Sequence, residues 1–153
     1  MDGDDDRTLV ERMARGDRSA LATAFDRHAA ALTRGAWALA ATPDAARALV
    51  QDAFLQLWDR AADVRLASAS LLPWLLAVCA GRASGALPGD PLRFVRADLA
   101  DASSDDRALC ERCVVHRRSY AQAADELGLL TSAPGRATRP GRGSREAVTR
   151  DGL

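Results

Sequence analysis

The stretch Thr42-Pro43-Asp44-Ala45-Ala46-Arg47-Ala48-Leu49-Val50-Gln51-Asp52-Ala53-Phe54-Leu55-Gln56-Leu57-Trp58 decides the fold class. It opens as helices open. Thr42 is a capping residue, Pro43 takes the first position, where no backbone N–H is needed, and Asp44 lies near the positive end of the helix dipole. Ala46, Leu49, Val50, Ala53, Phe54, Leu57, Trp58 and Ala61 then recur at steps of three and four, the period of one helical face. The other face carries Asp44, Arg47, Gln51, Asp52, Leu55 and Asp59. An apolar stripe of this kind needs neighbouring helices to cover it.

Those neighbours are legible on either side. Asp6 to Arg15 reads as a short helix with Leu9, Val10 and Met13 on one side, ended by Gly16. Asp17 caps a second helix that the pattern carries to about Ala41, with Leu21, Phe25, His28, Leu32, Ala36 and Leu39 as its stripe. Asp63 to Ser70 reads as a loop. A fourth helix starts near Ser70, tolerates Pro73 in its first turn, and is apolar almost all round, which makes it the most buried element of a bundle. Leu49, Phe54, Leu57, Trp58, Trp74, Leu75 and Val78 are expected to be buried together. Gly85 to Ser104 is rich in Gly, Pro, Asp and Ser and reads as a linker, with a short turn at Leu92 to Val95. Beyond it come a candidate helix from Asp105 to Val115 and a capping box, Ser119 with Gln122, that opens a helix to Leu127. Gly128 stands where a left-handed C-cap belongs.

Composition agrees with helices. Ala exceeds a fifth of the 153 residues, Ile is absent and there is one Tyr. All 21 basic residues are Arg and 21 residues are acidic, so the net charge is zero and any nucleic-acid contact must come from local patches. The absence of Lys, Asn and Ile beside abundant Arg, Ala, Gly and Pro reflects G/C-rich codons and carries no functional information. Three Cys make no disulfide framework, and no apolar run reaches the roughly 20 residues a membrane span needs. The acidic N-terminus is unlike a signal peptide, so a cytoplasmic protein without membrane partners is expected. No phosphate loop, nucleophile elbow or zinc-protease motif occurs, and a non-enzyme without cofactor or metal is expected.

Four segments carry a family resemblance: Leu21-x3-Phe25-Asp26-Arg27-His28, the run Ala48 to Trp58, Pro73-Trp74-Leu75-Leu76-Ala77-Val78, and Arg118 to Leu129. The first three are similar to region two of the extracytoplasmic-function sigma factors, and the last resembles the opening helix and turn of their region-four helix-turn-helix. The resemblance implies an all-α protein with a region-two-like bundle over 1–85, a linker over 86–104, a partial helix-turn-helix over 105–130 and a basic Gly/Pro-rich tail over 131–153. It implies a transcription initiation factor whose partners are core RNA polymerase, promoter DNA and an anti-sigma protein. The polymerase face would be Asp44, Arg47, Gln51, Asp52, Leu55 and Asp59. The DNA contacts would come from Arg60, Arg65, Arg82, Arg117, Arg118, Ser119, Tyr120, Gln122, Arg136 and Arg139.

The chain departs from that family where Ala45-Ala46-Arg47-Ala48 replaces acidic residues and Cys79-Ala80-Gly81 replaces Ala-Arg-Asn. Beyond Gly128, Pro134, Pro140 and three Gly fall where a recognition helix belongs, each interior Pro costing about 3 kcal/mol in a helix. Thr131 to Leu153 is therefore expected to form no stable recognition helix, although its five Arg against two acids suit phosphate contacts. These departures define the alternative, a degenerate sigma paralogue acting as a protein-interaction module without promoter reading. Trp37, Trp58 and Trp74 read as core residues, with base stacking as the other use, and His28 reads as core or boundary. Cys110, Cys113 and His116 share a helical spacing that suits a thiol or metal sensor, against a plain reading of the two Cys as small core residues.

Overall fold

Capping side chains set the first three helix starts. In the computed structural model, which describes residues 5–83 and 89–129, Asp5 accepts the N–H of Thr8 at 2.8 Å and begins α1 (Asp6–Ala14). The chain reverses at Gly16, whose φ of +89° lies in the region glycine adopts without strain. Asp17 accepts the N–H of Ser19 at 3.0 Å to begin α2 (Arg18–Trp37), and Thr42 accepts that of Ala45 at 3.1 Å to begin α3 (Pro43–Arg60). A 3₁₀ turn, Ala61–Asp63, leads to a non-helical stretch and then α4 (Leu72–Arg82), with Pro73 in its first turn. Next are α5 (Arg96–Ala100), α6 (Ser104–Cys110), a π-helical turn (Glu111–Val115) and α7 (Tyr120–Glu126). The described residues are all-α, with no strand among them.

The core forms where α1 packs on α2 and where α2, α3 and α4 pack on one another. Leu9, Leu32, Leu57, Leu71, Leu75 and Leu76 are fully buried in it. The stripe of α2 is rotated from the expected one. Ala20, Ala24, His28, Leu32, Gly35 and Ala36 face inward, while Phe25 is exposed and tilts against Phe54 with ring centroids 4.9 Å apart. The reason is close approach, because a Cβ on Gly35 would run into the Leu76 side chain. The small-residue row therefore takes the contact, and the larger Leu21 and Phe25 move to its edge. Helix α2 also stops at Trp37 rather than near Ala41. Of the seven residues expected to share the core, Phe54, Leu57 and Leu75 are buried, whereas Leu49, Trp58, Trp74 and Val78 are half-buried on the flanks of their helices.

The loop after α3 is packed rather than loose, with Val64, Leu66, Ala67 and Ser68 all buried. The linker reading is corrected from residue 89 onward. Leu92, Val95 and Leu99 are buried, α5 lies within the stretch, and Val95 approaches the backbone of Gly35. Burial of apolar side chains outweighs the Gly and Pro content there. The independent second unit beginning at 105 is corrected as well. Contacts divide the chain between Ala123 and Ala124, so α6 and the π-helical turn belong to the same unit as α1–α4. Both pack on α4, and three polar contacts tie this segment down: Ser68 Oγ donates to Asp106, Ala67 N–H to the Tyr120 hydroxyl, and Arg117 to the Ala80 carbonyl. In the second unit, Gly128 has φ +69° and the Leu129 N–H returns to the Ala124 carbonyl at 2.9 Å, the C-cap expected from the sequence. The expectations for the acidic start, residues 84–88 and the 131–153 tail lie outside the described residues.

Candidate nucleic-acid interface

The last turns of α3, the length of α4 and residues 113–122 enclose a cleft of about 810 Å³. Gln56 and Arg60 reach it from α3, and Trp74, Ala77, Val78 and Gly81 from α4. The third wall brings Arg117, Arg118, Ser119, Tyr120 and Gln122, so six of the ten residues assigned to DNA from the sequence line one site. Three arginines and no carboxylate are among the lining residues.

Local backbone geometry builds that third wall. The π-helical turn ends with the His116 N–H on the Glu111 carbonyl, and the Arg118 N–H reaches back to the Arg112 carbonyl at 3.0 Å. Between them Arg117 has φ +58°, a left-handed conformation that costs a non-glycine residue about 1–2 kcal/mol. The reversal places consecutive arginines beside the start of α7. There the expected capping box is present: the Ser119 N–H donates to Gln122 Oε1 at 3.0 Å and the Gln122 N–H to Ser119 Oγ at 3.1 Å. Ser119 and Gln122 thus spend part of their bonding capacity on the helix itself. Tyr120 does likewise. Its oxygen accepts the Ala67 N–H at 2.8 Å, and burial pushes its pKa up to about 12, which keeps the phenol neutral.

The remaining assigned residues fall elsewhere. Arg82 pairs with Asp52 at 2.7 Å, joining one residue read as DNA-facing to one read as polymerase-facing. Asp52 also accepts a bond from Gln56 at 3.3 Å and is half-buried. Arg65 is exposed and donates to the Ala62 carbonyl at 3.4 Å, outside the cleft. Arg136 and Arg139 lie outside the described residues. On α3, Asp44, Arg47, Gln51, Leu55 and Asp59 are all exposed on the side away from the buried stripe. Leu55 stands out at 62% exposed, and the one ion pair within the set is Arg47 with Asp44 at 2.9 Å.

All three thiols are buried. Burial pushes Cys79 and Cys113 up to about 12 and Cys110 upward too, away from the thiolate that binds metals. His116 is exposed, and no three His, Cys, Asp or Glu side chains come together as a metal site among the described residues. Two features escaped sequence reasoning. Asp6 is buried against His28 at 2.8 Å, Arg27 at 2.7 Å and the Leu71 N–H at 2.7 Å. Trp37, expected in the core, is half exposed, edge-on to Phe94 at 6.4 Å with Arg93 stacked on the Phe94 ring at 4.9 Å. Partners 22 and 65 residues away leave no short-range signal for the first. The second needed the packing of residues 92–99, read as linker. No protein-family model, curated protein or solved structure matches the chain.

Proposed function

We propose that the chain is a sigma-like transcription initiation factor that binds core RNA polymerase through the exposed face of α3 and promoter DNA through the arginine cleft. The observation that carries the reading is the cleft. Arg60, Arg117 and Arg118 line one concave site, although the whole chain is neutral. Such a site attracts phosphate, and Trp74 on its wall offers an aromatic surface to an unstacked base. The exposed Leu55 within a polar helical face suits a partner helix. Initiation reconstituted with core polymerase is the test. Promoter-directed transcripts that require the chain, and polymerase capture lost in Leu55→Asp while helicity is retained, are the expected results. Absence of such transcripts overturns it.

A second reading, the degenerate paralogue that docks on polymerase or an anti-sigma protein without reading promoters, is favoured by how much of the DNA-assigned set is engaged internally. Tyr120 holds Ala67, Arg117 holds Ala80 and Arg82 holds Asp52. Polymerase capture without initiation would select it.

A further inference from the structure

We propose that the Trp37–Phe94 patch is a self-association surface, and that its occupant is the same patch of a second copy of the chain related by a two-fold axis. The patch shares no residue with the arginine cleft or with the exposed face of α3, so the inference does not rest on the proposed function.

A single exposed apolar side chain is ordinary, but two in contact form a patch. Trp37 closes α2 and is 50% exposed, and Phe94, just before α5, is 45% exposed. Neither ring is loosely held. Leu92 and Val95, close to Phe94 in the chain, are buried, Arg93 stacks on the Phe94 ring, and the Arg93 guanidinium donates to the Asp90 carbonyl at 2.8 Å. Trp37 meets Phe94 edge-on. Rings fixed in this way lose little freedom on association, and aromatic and Arg side chains are the usual anchors of protein interfaces.

The charges beside the rings select the occupant. Arg34 lies one helical turn before Trp37 and Asp98 one turn after Phe94, and the two form a two-pronged ion pair between α2 and α5 at 3.0 and 2.6 Å. Arg96 pairs with Asp90 at 2.9 Å and with Glu111 at 3.3 Å. The rim thus carries both signs. A nucleic acid would favour a basic rim, and a strongly charged protein a rim of the opposite sign. A mixed rim matches its own kind, and a chain of zero net charge does not repel its copies. The signs are also placed for a two-fold contact. The cation stands on the α2 side with Trp37 and the anion on the α5 side with Phe94. A two-fold axis in the plane of contact, running between α2 and the 94–98 segment, sets Trp37 opposite Phe94 of the second copy and Arg34 opposite its Asp98, and repeats both contacts. Aromatic rings gain from such pairing.

The test is sedimentation equilibrium of the isolated full-length chain across the micromolar range, with circular dichroism as the check on folding. A monomer–dimer equilibrium is expected. Trp37→Ser and Phe94→Ser should each weaken dimerisation by about tenfold or more while helicity is kept. Arg34→Asp and Asp98→Arg each set like charges opposite one another in both contacts, so neither variant should dimerise alone. Mixed in equal amounts, the two variants regain opposite charges at both contacts and should form a heterodimer. The internal Arg34–Asp98 pair is partly exposed, so its loss should leave helicity unchanged. Any of three results overturns the proposal: a monomer at every concentration, wild-type association in both ring variants, or charge variants that stay apart when mixed. A monomeric chain whose capture of core polymerase falls in Trp37→Ser would overturn it too, and would give the patch to polymerase. Because the sedimentation assay contains the chain alone, its failure leaves the initiation assay standing, and failed initiation leaves the dimer standing.

Discussion

Asp6 receives Arg27 on one carboxylate oxygen and His28 and the Leu71 N–H on the other, with almost no exposure to solvent. Burial alone would raise its pKa, but the bonds from His28, the Leu71 N–H and Arg27 outweigh that, and the net shift is downward. A carboxylate held below its ordinary 3.8 contributes stability that is complete above that pH and is lost as pH falls through the folded-state value. Acid unfolding should therefore begin below about pH 4, and Asp6→Asn should flatten that limb of the stability curve. Asp6→Ala, which leaves a buried N–H and His28 without their acceptor, should cost about 3 kcal/mol in a denaturant melt. The opposite limb belongs to Cys79, Cys113 and Tyr120, each raised to about 12 from ordinary values of 9.0 and 10.0. Their stabilising effect is complete below about pH 9 and is lost as pH rises toward 12, so thermal melts should fall steadily across that interval. Below it, a thiol reagent should modify the chain only at the rate of its opening.

Gly35 lets α2 approach α4 so closely that Leu76 occupies the space of a Cβ. Ala there gains about 1 kcal/mol of helix propensity, but forcing a fully buried Leu aside costs about 1–3 kcal/mol. Gly35→Ala should therefore be neutral to destabilising by about 2 kcal/mol, and a more stable variant would show that Leu76 relaxes freely. The same contact explains what could be read from the sequence. Helix existence followed local signals, namely Thr42 with Pro43, Asp17, Gly16, and Ser119 with Gln122, and each is present where the chain alone indicated it. Which face of α2 turns inward depended on Gly35 meeting Leu76, a pair 41 residues apart that periodicity does not couple. The cleft was legible as a set of residue types around Arg117 to Gln122. Its concavity depends on the π-helical turn and the left-handed Arg117, which no propensity announces.

The contact of α6 and the π-helical turn with α4 makes residues up to Ala123 one unit. A bundle cut at Gly85 would expose the α4 surface on which α6 and the π-helical turn pack, and would strand the Ala67 N–H and the Ser68 hydroxyl. The 1–85 fragment should thus unfold at markedly lower denaturant than the full chain. Full-chain melts followed by far-ultraviolet circular dichroism and by tryptophan fluorescence should coincide. Separate transitions would restore an independent segment after 104.

The Asp6 clamp has a consequence for synthesis. Its third donor, the Leu71 N–H, is specified 65 residues later in the chain. At roughly 5–20 residues per second, a ribosome leaves this carboxylate unsealed for about 3–13 s after it is made. During that interval α1 has no completed seat, and the nascent chain presents Leu9, Val10 and Met13 to whatever binds apolar segments at the exit tunnel. Protease protection of the first helix in stalled nascent chains should appear only once the first turn of α4 has emerged.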